Sequence, residues 1–140
     1  MDDGLIIRAE IGELARVSEW TKAFGQRFAL RESTLFAIQL CVEEALSNIV
    51  RYAFAPGKTL PRPPREVRLS VQEIGDAIDL MIEDEGMAFD PLKAEPPARP
   101  TTIEDAATGG WGIHLMRHFA RTLAYERRNG VNRLTLRFDR

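Results

Sequence analysis

Four prolines between positions 56 and 64 (Pro56, Pro61, Pro63 and Pro64) divide the chain into parts that obey different hydrophobic periods. Proline lacks a backbone N–H and fixes φ, so the run stops a helix and makes a stiff, extended connection. Before it, apolar residues recur every three or four positions. Ile11, Leu14, Val17, Trp20 and Phe24 predict one helix, weakened or ended at Gly25. Leu35, Ile38, Val42, Ala45 and Ile49 predict a second, from an N-cap near Ser33 to about Ala53. A short apolar run, Leu5 to Ile7, predicts a strand ahead of both.

After the prolines the period becomes two. Val67, Leu69 and Val71 alternate with polar residues, as do Ile78, Leu80 and Ile82 beyond a tight turn at Gly75-Asp76. This is the pattern of a half-buried antiparallel hairpin. A final hairpin, 122–128 with 132–139, is expected around Asn129-Gly130, the strongest short hairpin signal. Between the hairpins, Gly109 and Gly110 lead into a third helix carrying Ile113, Leu115, Met116, Phe119 and Ala120. The aperiodic stretch from about 91 to 109 has the length of a lid. The expected architecture is an α+β two-layer sandwich of one domain, residues 1–140, with helices on one face of a mainly antiparallel, mixed sheet. Neither the regular βα alternation of a doubly wound fold nor a GxxxxGK[ST] loop is present.

A formal charge of -2 and a pI near 5.7 give no global attraction to nucleic acid or to an anionic membrane. The basic clusters Arg62, Arg65, Arg68 and Arg127, Arg128 read as solvated loops and strand faces. Cys41, the single cysteine, lies in an apolar stretch and reads as a small core residue. The N-terminus lacks the pattern of a signal peptide and no apolar run is long enough to span a bilayer, so the cytoplasm is the expected location.

Three segments carry possible chemistry. Glu44 and Asn48 lie four apart on the second helix, so their side chains stack at the border of its apolar stripe, half sheltered from water. There a carboxylate can act as general base and an amide oxygen can ligate Mg²⁺, although alone the pair reads better as a polar helix edge. Asp84, at a strand end, can accept a hydrogen bond from an exocyclic amine, and Gly86 lets the backbone approach a flat ligand. A turn that ends a strand is the plain alternative. Gly110, Trp111 and Gly112 open the third helix, where exposed N–H groups and the helix dipole favour an anion; a glycine-rich hinge is the alternative. Trp111 can face the nucleotide, the lid or the core. Phe89 reads as a core anchor, and His114 with His118 as polar residues at a helix edge, since no further zinc ligands accompany them.

In this order the segments resemble the N box and the two glycine boxes of the GHKL (Bergerat-fold) ATPases. The phrases Asp84-x-Gly86-x-Ala88-Phe89-Asp90-Pro91 and Gly109-Gly110-Trp111-Gly112-Ile113-His114-Leu115-Met116 look most like the anti-sigma-factor serine kinases of that superfamily. The resemblance runs from Ile11 to Phe138 and implies ATP and Mg²⁺ as cofactors. It implies Glu44 as catalytic carboxylate and Asn48 as Mg²⁺ ligand. Asp84, Gly86 and Ala88 would lie at the adenine, and Gly110, Trp111 and Gly112 near the phosphates. It further implies a kinase that phosphorylates a serine of an anti-anti-sigma protein, sequesters a sigma factor and forms a homodimer. The alternative is a catalytically silent ATP-binding module that regulates a partner by binding. Three positions depart from the pattern: Ala88 where relatives outside the branch have glycine, Tyr52 where histidine is frequent, and Asn132 where Ser or Thr is common.

Overall fold

The computed structural model describes residues 3–54, 65–93 and 112–140. The expected lid beyond Lys93, together with Gly109, Gly110 and Trp111, lies outside the described residues. Five strands form one sheet in the order β1-β2-β3-β5-β4: β1 Asp3–Arg8, β2 Glu66–Ile74, β3 Ala77–Asp84, β4 Thr122–Arg128 and β5 Val131–Asp139. Every pairing among these strands is antiparallel, so the mixed character allowed from sequence is absent here. The helices are α1 Leu14–Arg27, α2 Glu32–Asn48 and α3 Gly112–Phe119. The result is the α+β architecture expected from sequence.

Strand alternation sorts the sheet into two faces. Val67, Leu69, Val71, Ile78, Leu80, Ile82, Leu134, Leu136 and Phe138 are buried against the helices. The intervening residues are joined by cross-strand ion pairs: Arg133 with Glu83, and Arg137 with Asp79 through two bonds of 2.7 and 2.8 Å. Both hairpin turns occur where expected. Gly75 has φ 60, and Asn129 and Gly130 have φ 53 and 78, the left-handed pair that a two-residue turn requires.

Helix α2 is the central helix, packed on α1 and α3, and Ala37, Ile38, Cys41, Val42, Ala45 and Leu46 are buried along it. Three local expectations are corrected. Ser33 is not the N-cap: α2 begins at Glu32, and the Arg31 side chain makes no capping bond. The buried Thr34 hydroxyl instead donates to Asp139 O at 3.0 Å, tying the first turn to β5. Gly25 does not end α1, which continues to Arg27; a Cβ at Gly25 would meet Leu35 Cδ1 at 3.1 Å, so the missing side chain lets α1 and α2 approach. Ile11 is 47% exposed: it opens a separate 3-10 turn, Ile11–Glu13, none of whose residues is buried, and is not part of α1. No helix among the described residues is long and apolar enough to cross a membrane.

Phe24 is fully buried, with its ring edge-on to Trp20 at 4.8 Å, whereas Phe36 is 59% exposed. Phe24→Ala should therefore cost about 3–5 kcal/mol, and Phe36→Ala less than about 1 kcal/mol. Urea denaturation midpoints at constant slope check both values.

Candidate functional site

The last ordinary turn of α2 ends at Asn48, and the helix widens into a π-helical turn, Ile49–Ala53, closed by the Phe54 N–H on Ile49 O at 3.0 Å. The predicted extent of this helix is thus correct, but its last turn is of a different kind. π-turns frequently mark functional sites. Here the turn places Ala53 O where it accepts the Met87 N–H at 2.9 Å, joining α2 to the segment after β3. A Cβ on Gly86 would lie 2.6 Å from Ala53 O, so only glycine permits this approach.

A cleft opens beside this junction, lined by Asn48, Ile49, Asp84, Phe89, Tyr125 and Asn132 among others. Asn48 and Asp84, read from separate segments of sequence, therefore face one space. Glu44, one turn before Asn48, is half-buried at the start of α3: a Cβ on Gly112 would lie 2.7 Å from its Oε2. Three of the predicted segments thus meet on the C-terminal half of α2. Ala88 is exposed and does not line the cleft. Gly110 and Trp111 lie outside the described residues.

Asp84 occupies an inward position of β3, where the alternating pattern calls for an apolar side chain, and it is 5% exposed. Its Oδ1 accepts the Gly86 N–H at 2.9 Å and Asn132 Nδ2–H at 3.0 Å. Burial raises its pKa, opposed by these two hydrogen bonds and by the Arg127 charge. Burial likewise raises the Glu44 pKa, helped by the adjacent Glu43 and opposed by Arg51. Burial, then the Glu44 charge, pushes the Cys41 thiol up to about 12, leaving it the inert core residue expected.

The cleft is narrow, with a free interior of about 20 Å³, room for roughly one water molecule. Its outer wall is Phe89, half-buried rather than a fully enclosed anchor, stacked on Tyr52 with ring centroids 4.7 Å apart. Two roomier hollows, of about 240 Å³ around Glu83, Glu126 and Arg133 and about 320 Å³ between α1 and α2, contain none of the predicted site residues.

Sequence reading missed Tyr125 and misread Arg127. Tyr125 lines the cleft and donates to Asn132 Oδ1 at 2.5 Å. Arg127 is no free surface charge: it donates to Gly86 O at 3.0 Å and to Asn132 Oδ1 at 2.9 Å. The signal was present in the Asn129-Gly130 turn, whose two-residue register sets Arg127 opposite Asn132 and Tyr125 opposite Leu134.

Two outcomes follow from this geometry. Gly86→Ala should destabilise the fold by about 1–3 kcal/mol, since the new methyl meets backbone rather than a movable side chain; denaturant titration measures it. Glu44→Gln should raise the melting temperature at pH 7. A carboxyl with a raised folded pKa stabilises the fold below its unfolded value and loses that contribution as pH rises through the folded pKa. The gain from Glu44→Gln should shrink on acidification toward about pH 4, as read by calorimetric melts across pH.

Residues 7–138 match the histidine kinase-like ATPase domain. A curated relative, the serine/threonine-protein kinase BtrW of Bordetella bronchiseptica, is 43% identical over 101 residues, spanning 72% of this chain and 68% of that protein. The crystal structure of the RsbU and RsbW domains of Rv1364c from Mycobacterium tuberculosis superposes with a TM-score of 0.65 at 14% identity, covering 98% of this chain. This chain spans about a third, 32%, of that larger one, and the likeness establishes the shared fold. The chain that brings together the Glu44–Asn48 helix face, the Asp84 turn and the Gly112 helix start thus belongs to the histidine kinase-like ATPase family and is related to a protein named a serine/threonine-protein kinase.

Proposed function

We propose that this protein is an ATP-dependent protein serine kinase that phosphorylates a serine of an anti-anti-sigma protein and also sequesters a sigma factor. The observation that carries the reading is the convergence on α2: Asn48 and Asp84 line one cleft, and Glu44 stands one turn away against the start of α3. The 43% identity to a protein named a serine/threonine-protein kinase supports the reaction class.

The donor set suits the substrate. Asp84 offers Oδ2 to the adenine amino group, because both of its hydrogen bonds from described residues fall on Oδ1. Asn48 offers an amide oxygen to Mg²⁺, an ion commonly held by one or two protein groups plus substrate phosphates; bound there, it would neutralise phosphate charge. Admitting a purine requires the wall of Phe89 and Pro91 to move outward, since the folded cleft holds little more than one water. Gly110, Trp111 and Gly112 are assigned to the phosphates and Ala88 to the rim of the base site. Glu44 takes the proton of the attacking serine hydroxyl as its oxygen bonds to the γ-phosphorus and ADP leaves. Its raised pKa suits a general base. A module that only binds has no use for this carboxylate, which favours the enzyme over the silent alternative. Family likeness is the ground for assigning a homodimer, which light scattering tests.

Asp84→Asn should weaken ATP binding by about 10-fold or more with the fold intact, from the loss of a charge-assisted hydrogen bond; titration calorimetry measures it. Glu44→Gln should leave ATP affinity nearly unchanged and slow phosphotransfer by about 10²–10⁴-fold, roughly 2.7–5.5 kcal/mol in the barrier. Single-turnover transfer from radiolabelled ATP to an anti-anti-sigma protein reads this. Equal rates for both proteins would remove Glu44 from the mechanism. Tight ATP binding without any transfer would leave only the binding module.

A further inference from the structure

We propose that Asn132, Tyr125 and Arg127 form a positioning network that holds Asp84 as a hydrogen-bond acceptor and so selects a base bearing an amino group over one lacking it. The inference rests on reading the cleft as the nucleotide-base site.

The geometry begins in the register of three strands. Asp84 of β3 pairs with Asn132 of β5, which pairs with Arg127 of β4, so the three form one row across the sheet. Tyr125 lies two residues from Arg127 on the same face, and the Asp84 end of the row closes one side of the cleft.

Asn132 is 4% exposed and uses its whole hydrogen-bonding capacity. Its Nδ2 donates to Asp84 Oδ1 at 3.0 Å and to Met87 O at 2.8 Å. Its Oδ1 accepts from the Tyr125 hydroxyl at 2.5 Å and from Arg127 at 2.9 Å. This set leaves one orientation for the amide. Turning it over would press Oδ1 against two acceptors and the NH₂ group against the Arg127 donor. Tyr125 and Arg127 therefore fix Asn132, although in this set they bond to it and not to the Asp84 carboxylate.

Asn132 in turn fixes Asp84. Two N–H groups on Oδ1 favour the ionised carboxylate against the burial that raises its pKa, and they settle its rotation, with Oδ2 left for a ligand. An ionised carboxylate oxygen can only accept. It pairs with the exocyclic amino group of adenine, gains nothing from a ring carbon bearing hydrogen, and opposes the carbonyl of a 6-oxopurine. Arg127 adds a second restraint through its bond to Gly86 O, holding the turn that supplies the other N–H to Asp84. The three side chains are positioning residues, acting on the base through Asp84.

The test compares ATP with two analogues, purine riboside triphosphate, which lacks the amino group, and inosine triphosphate, which carries a carbonyl. Calorimetric dissociation constants are measured at fixed Mg²⁺ for the native protein, Tyr125→Phe and Asn132→Leu. The native protein should prefer ATP over purine riboside triphosphate by about 10–100-fold, the worth of a hydrogen bond to a charged group, and over inosine triphosphate by at least as much. Tyr125→Phe removes one hydroxyl and should cut that preference about 2–10-fold, leaving the affinity for purine riboside triphosphate unchanged. Asn132→Leu should bring the preference close to unity. Melting curves establish that each variant is folded; if Asn132→Leu is not, Tyr125→Phe decides alone. An unchanged preference in folded Tyr125→Phe, with both affinities falling together or neither moving, overturns the network and leaves the nucleotide site standing. Binding of none of the three nucleotides by folded native protein overturns the site and the network with it.

Discussion

The C-terminal half of α2 and the π-turn that continues it pack against two backbone positions that carry no side chain. At Gly86 the space a Cβ would need is taken by Ala53 O, and at Gly112 by the Glu44 carboxylate. These approaches bring the end of β3 and the start of α3 onto one stretch of helix. Without them Asn48 and Asp84 would not border a common cleft, and Glu44 would not face the segment that leads into α3. The glycines thus act first as conditions of packing. Whatever they contribute to a ligand follows from the closeness they permit between protein segments.

That packing buries polar groups, and the fold compensates in two different ways. Asp84 and Asn132 stand opposite each other at inward positions where apolar residues would ordinarily lie. Burying either without partners would cost about 1–3 kcal/mol, more for the charge, and each has partners: Asp84 takes two N–H donors, Asn132 four contacts. Glu44 is treated otherwise. It lies half-buried beside Glu43, with Arg51 as the opposing charge. Burial raises the pKa of both carboxyls, but only at Asp84 do hydrogen bonds oppose the rise, so Asp84 is held as a fixed acceptor while Glu44 is opposed by the Arg51 charge alone.

Much of this was legible in the chain itself. Period-two alternation in 67–71 and 78–82, the Gly75 and Asn129-Gly130 turns, and the 3.6-residue stripe of α2 each reflect local physics that tertiary packing did not override. The half-sheltered position of Glu44 and Asn48 followed from their angle to that stripe. Where local reading failed, a long-range contact had taken over. Thr34 bonds to Asp139 O, 105 residues away, in place of a cap at Ser33, and Leu35 sits over Gly25, so that a residue expected to end a helix became a helix contact.

By itself, then, the sequence determined the elements, their faces and the order of three chemically suggestive segments, because periodicity, proline and turn propensity act over a few residues. Only the tertiary structure decided which of those segments meet. Asp84 reaches Asn132, and through it Tyr125 and Arg127, across a strand pairing that joins positions 48 residues apart. Gly86 reaches Ala53 through a π-turn that no period announces. Hydrogen-bond partners at such separations depend on register and packing distance, and a side chain's neighbours in space are set by the whole core closing around it.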